Sequence, residues 1–187
     1  MRIPSFLTLA LAPALLAAAP ASAQYVVLGE SHASACFQNA IAGREDSHAL
    51  EDCDVAIEHE TLNRRDRAAT FVNRAIIRMR NNRLDGAERD LERAEGIRET
   101  FAPVIAVNRS ALFVRMHRFN EAIAAADLAI ELDAPDIAHA YFNRGVAFEA
   151  QGDIRSAYNS YAAALEARPG WRMAERELAR FTVTPGS

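Results

Sequence analysis

The stretch "AVNRSALFVR" at 106–115 decides the fold, because it has a relative on either side: "FVNRAIIRMR" at 71–80 and "YFNRGVAFEA" at 141–150. The shared pair is Asn73-Arg74, Asn108-Arg109 and Asn143-Arg144, a step of 35 residues each time. Other positions fall into line at the same step. Ala87, Ala122 and Ala157 coincide, as do Ala94, Ala129 and Ala164, and Leu84, Phe119 and Ile154. Alanines seven apart on the second helix of each unit let a neighbouring backbone approach closely, and the large apolar residues fill the space between. Each unit reads as two antiparallel helices joined by a short turn, such as "AQGD" at 150–153. Self-similarity at a period of about 34 residues marks a stacked helical solenoid, in which no single unit buries its apolar face alone. The fold class is therefore all-α.

The sequence resembles the tetratricopeptide repeat (TPR) family, and the best unit is the last. Tyr141, Gly145, Phe148, Gly152, Ala157, Tyr161, Ala164 and Pro169 fall at the family's spacings, while Arg144 stands where the family usually has Leu. The middle unit carries Ser110 as its small residue, with Phe113, Ala122 and Ala129. The first keeps Phe71, Ala75, Ala87, Leu91 and Ala94 but places Arg78 where a large apolar residue is expected. The resemblance implies a right-handed solenoid with repeats at 68–102, 103–137 and 138–170. Upstream, "ALEDCDVAIEHE" (49–60) repeats the second-helix spacing through Ala49, Cys53 and Ala56, so 32–60 reads as a degenerate helix pair. Asn63 with Asp66 supplies a cap and a first-turn acid for the helix after the linker. Downstream, Trp171, Ala174, Leu178 and Phe181 form one apolar stripe on a helix at 171–181, with Arg172, Glu175, Arg176 and Arg180 opposite. That is the amphipathic cap an open solenoid end needs.

The N-terminus reads as a secretory signal. Met1-Arg2 is a minimal charged start, "FLTLALAPALLAAA" is a short apolar run, and Ala21-Ser22-Ala23 offers a small-x-small cleavage site. The run is too short to span a membrane, which takes about 20 apolar residues. The expected plan is a signal peptide at 1–23, an extended segment at 24–31 and a periplasmic or secreted mature chain of 164 residues, enough for one domain with a core. The formal charge of −4 becomes −5 once Arg2 is removed, and acids and arginines are interspersed without a basic face, which argues against nucleic acid as a partner. All 21 basic residues are Arg. No stable membrane insertion is expected of the mature chain.

Cys36 and Cys53 form an isolated pair, which in an exported protein reads as a disulfide. A redox couple or two metal ligands are the competing readings; the 17-residue separation is not a CxxC, and no His pair sits nearby at zinc-ligand spacing. On the TPR-like helices Cys53 takes the place of Leu91 and Tyr161, facing a partner helix that carries Cys36, so a bridge would cross-link the weak terminal pair.

Among candidate chemistries, "VVLGESH" (26–32) offers Glu30 and His32 as base or ligand, but with no complementary motif downstream. "EHE" (58–60) places its side chains consecutively in a linker, a poor metal site. The chain has no nucleophile elbow and no phosphate loop. No catalytic residue, metal or cofactor is assigned, and the expectation is a protein that is not an enzyme. Arg64, Arg65 and Arg67 read as solvated charge with helix pairing.

What the resemblance implies instead is a concave groove lined by the first helix of each repeat. Mapped onto this chain, the groove residues are Val72, Asn73 and Ile76; Val107, Asn108 and Ala111; and His139, Phe142, Asn143 and Val146. An Asn offers both a donor and an acceptor, so an Asn ladder over an apolar floor can read a peptide backbone, or can serve neighbouring helices. The arginines of the pair are expected to meet acids such as Asp90 or Asp127. A clamp for a peptide's C-terminal carboxylate is disfavoured, because Lys is absent and the groove steps are mostly apolar. The leading expectation is an exported interaction module of the small secreted proteobacterial TPR type, with an unidentified protein or peptide partner. The alternative is a hydrolase or a ligand- or haem-binding protein using the Glu30/His32 region.

Overall fold

The computed structural model describes residues 31–97 and 101–181, so the expected signal peptide and the segment 24–30 lie outside the described residues. Within them the chain forms nine helices and no strand. The helices are α1 (His32–Ile41), α2 (Ser47–His59), α3 (Arg64–Arg80), α4 (Leu84–Ile97), α5 (Ala102–Arg115), α6 (Phe119–Glu131), α7 (Ile137–Ala150), α8 (Ile154–Ala167) and α9 (Arg172–Leu178). Consecutive helices pack as hairpins, α1 with α2, α3 with α4, α5 with α6 and α7 with α8, and each hairpin stacks on the one before it.

Alanine makes this stacking close. Ala87, Ala122, Ala157, Ala94, Ala129 and Ala164, the six positions aligned by the 35-residue step, are all fully buried. The larger apolar residues close the layers around them: Phe71, Val72, Leu91, Phe101, Val104 and Ile105 between the first two repeats, and Phe142 and Tyr161 in the third. At Gly145 even a methyl group is excluded, since a Cβ there would lie 2.7 Å from the Tyr161 ring.

The turns repeat as faithfully as the core. The second residue past the first helix of each repeat has a positive φ: Asn82 (57°), His117 (58°) and Gly152 (81°), again 35 apart. The next residue's N–H closes the helix end five residues back, Arg83 to the Arg78 carbonyl (2.8 Å), Arg118 to Phe113 (2.8 Å) and Asp153 to Phe148 (3.0 Å). This is the closing bond of a Schellman motif. Several N-termini are capped by side chains: the Asn63 Oδ1 accepts from the Asp66 N–H (2.9 Å), Asp46 from Ala49 (2.9 Å) and Asp153 from Ser156 (3.1 Å). Those bonds favour the ionised carboxylate and hold Asp46 below the ordinary aspartate value, as the Ser156 side chain and N–H do for Asp153.

Both ends are finished differently. Cys36 and Cys53 are joined by a disulfide between α1 and α2, with Cα atoms 4.8 Å apart and both residues fully buried. At the other end α9 lays Ala174, Leu178 and, just past its end, Phe181 over the third repeat, while Trp171 packs on Phe142 (5.0 Å between rings) and on His139 (4.7 Å).

Candidate functional site

The Asn-Arg pair sits on α3, α5 and α7, and its arginines join helices from adjacent hairpins. Arg74 donates to both carboxylate oxygens of the fully buried Asp90 on α4 (2.9 and 2.8 Å) and to Asp54 on α2 (2.5 Å). Arg109 grips Glu95 on α4 through two bonds (3.1 and 2.8 Å). Arg144 donates to Asp127 on α6 (2.6 Å) and to the Ser160 hydroxyl on α8 (3.2 Å). In each repeat, then, the arginine reaches back to the second helix of the preceding hairpin. Burial alone would lower the pKa of Arg74, but the paired carboxylates of Asp90 and Asp54 raise it above the ordinary arginine value. Arg78, which replaces the expected apolar residue, donates to Asp90 as well (2.6 Å) and to the Gly86 carbonyl (3.3 Å). Burial pulls its pKa down, against the pull of Asp90. Asp90 is thereby held by two guanidiniums, the arrangement a buried charge requires.

The asparagines occupy three different situations. The Asn143 Nδ2 donates to the Ser110 hydroxyl on the preceding first helix (2.8 Å). Residue 75, the equivalent of Ser110 one step earlier, is Ala and offers no acceptor; the Asn108 Nδ2 turns back to the Val104 carbonyl on its own helix (2.8 Å). Asn73 is 1 % exposed, and its Nδ2 has no hydrogen-bond partner among the described residues.

Burial orders the residues mapped to the groove. Val72, Val107 and Phe142 are buried steps of the three first helices, while Ile76, Ala111 and Val146, one turn further on, are half-buried. His139, also half-buried, places its Nδ1 2.5 Å from Asp136 Oδ2 beside Trp171; Arg168 donates to the other Asp136 oxygen (2.5 Å) and lies over the Trp171 ring (4.8 Å). Trp171 is thus enclosed by protein on several sides.

Around the N-terminal hairpin, His32 Nδ1 lies 3.0 Å from Asp52 Oδ1, and the second Asp52 oxygen accepts from Asn39 (2.9 Å). Glu30 lies outside the described residues. The Glu-His-Glu run has a structural use at its last member: Glu60 accepts from the His32 and Ala33 N–H groups (2.7 and 3.3 Å), capping α1 from the end of α2. Sequence reasoning missed a set of arginines that do the converse job. Arg64 donates to the Ile97 carbonyl (2.7 Å), Arg67 to Ile57 (3.0 Å) and Arg80 to Ala40 (2.5 Å), each in the last turn of another helix. A cation there meets both the unpaired carbonyls and the negative end of the helix dipole.

Stacked hairpins that share their cores and stitch each unit to the one before define a helical-repeat solenoid. Residues 138–170 match the family model of the tetratricopeptide repeat. The chain has the fold of a tetratricopeptide repeat solenoid, and the unit that matches the family model lies next to its C-terminal cap. A solved structure named "MamA MSR-1 C2" has the same fold, at a TM-score of 0.60 and 19% sequence identity over 79% of this chain and 81% of that one. No curated protein matches the sequence.

Proposed function

We propose that the protein is an interaction scaffold, not an enzyme, and that it holds a peptide or protein segment along the face shared by α3, α5 and α7. The observation that carries this reading is the row Ile76, Ala111 and Val146, one half-buried apolar step per repeat at the 35-residue spacing. Beside that row, Asn108 and Asn143 use their Nδ2 groups within the protein, which leaves each side-chain carbonyl to accept from a partner's backbone N–H. An apolar row edged by amide acceptors suits an extended or helical segment. Val72, Asn73, Val107, His139 and Phe142 lie at the neighbouring steps as the floor of the same groove. The Cys36–Cys53 bridge supports an oxidising compartment, and with the leader we place the mature chain in the periplasm or outside the cell, cleaved after Ala23.

Capture of partners from a periplasmic extract, by the full chain and by its Ala111→Arg variant, tests the proposal. The native chain is expected to retain a partner that the variant loses at unchanged helicity. A partner held equally well by both sinks the assignment of this face.

A further inference from the structure

We propose that the protein has a second docking surface, an acidic groove between α4 and α6 that takes an arginine-bearing amphipathic segment of a partner protein. The groove is an open depression of about 370 Å³ and lies on the side of α5 turned away from the row just described. Ala106, Arg109 and Phe113 follow one another at 3 and 4 residues and so share one face of α5, whereas Val107, Asn108 and Ala111 occupy the opposite one.

The floor is apolar and the rim is acidic. Phe113 and Ala106 form the floor with Ala125 and Leu128 of α6, while Glu88 and Glu92 of α4 and Glu121 of α6 form the rim. The two arginines at the site are already held: Arg109 by Glu95, and Arg118 by Glu88 (2.7 Å) and Glu121. Four carboxylates against two guanidiniums leave a formal charge of −2. Glu92, exposed on the rim, has no ion-pair partner among the described residues. A negative rim over an apolar floor complements a cationic, partly apolar ligand and repels anions.

Arg118 displays the mode of recognition the groove offers. Its guanidinium lies over the Phe113 ring at 4.4 Å while its edges meet two carboxylates. A guanidinium from a partner would meet the unpaired Glu92 carboxylate beside the apolar floor, a mixed surface that suits the planar guanidinium of Arg better than the ammonium of Lys. The apolar strip also runs past the depression along α6 as Leu128 and Leu132, 42% and 39% exposed and one helical turn apart. A strip of that reach fits a protein segment with its own apolar stripe, not a small cation.

The test is a fluorescence-anisotropy titration of the full chain with a fluorescein-labelled amphipathic peptide, a leucine stripe flanked by arginines, and with its twin bearing glutamates for the arginines. The arginine peptide is expected to bind and its twin not to. Glu92→Gln combined with Leu128→Ser should weaken binding by about tenfold, whereas Glu166→Gln, the same charge change on α8, and Ala111→Arg should leave it as it was. Lack of binding to the native chain overturns the proposal. So does equal binding to the native chain and the Glu92/Leu128 variant, which would reduce the effect to bulk charge. Loss in Ala111→Arg alone would assign the peptide to the other face, overturning this proposal while supporting that one.

Discussion

Gly145 has no side chain because the Tyr161 ring stands 2.7 Å from where its Cβ would be. The ring is not free to move aside: it packs against Phe142 (5.4 Å) and its hydroxyl donates to Glu149 (2.8 Å). Burial, with the Glu149 carboxylate, holds the Tyr161 pKa well above the ordinary tyrosine value and keeps that hydroxyl a donor. One and two steps earlier the equivalent pairs are Ser110 with Ala126 and Ala75 with Leu91, all buried. The smallest residue therefore faces the largest, and the hairpin spacing is kept by trading volume between two helices. Gly145→Ala breaks the trade and is expected to destabilise the protein by about 1–3 kcal/mol, the usual range for overpacking. The denaturant midpoint checks it; an unchanged midpoint would mean that α8 shifts freely to make room.

At the scale of helices, the Asn-Arg pair offers two threads from a hairpin to its predecessor: Arg to the preceding second helix in all three repeats, and Asn to the preceding first helix in the last. The second thread is complete only where Ser110 provides the acceptor for Asn143. Ser110→Ala should cost about 1 kcal/mol, the net worth of a typical hydrogen bond. Asn143→Ala in that background should add little, since the two share one interaction. Thermal melts of the two single variants and the double variant decide it, and additive losses would show that the bond contributes nothing. Two of the arginines' acids, Asp90 and Asp127, could be anticipated as acids on second helices within reach of a long side chain, whereas Asp54 and Glu95 stand out only in the structure. What the sequence could not show was how differently three identical asparagines behave. Their fate depends on residues 33 to 35 positions away, and Ala75 and Ser110 look interchangeable as small residues. The capping arginines were hidden for a related reason: the acceptors of Arg64, Arg67 and Arg80 are main-chain carbonyls, which every residue has and no pattern marks.

Over the whole molecule the two ends face opposite problems. The C-terminal end is closed by α9, whose apolar stripe was legible as a 3-4-3 spacing. Among the described residues the N-terminal hairpin packs against one neighbouring hairpin, and it is held by the disulfide, by Asp54 to Arg74 and by the Arg67 and Arg80 caps. Closing a loop of this size is worth ~3 kcal/mol in the chain-entropy account. For a protein of this size that corresponds to a fall of about 6–12 °C in melting temperature on reduction. A melt with and without dithiothreitol, with thiols titrated in parallel, is the measurement. Two thiols reactive before reduction, or an unchanged melt after it, would contradict the role given to the bridge.

The stitches also have a direction. Arg74, Arg109, Arg144 and Asn143 all bond to a hairpin earlier in the chain. Each unit of a repeat protein is stabilised chiefly by its nearest neighbours, and these bonds are part of that nearest-neighbour coupling. The pair that announced the repeat thus also links every repeat to the hairpin before it, in one unbroken series from the bridged hairpin to the last repeat that α9 covers.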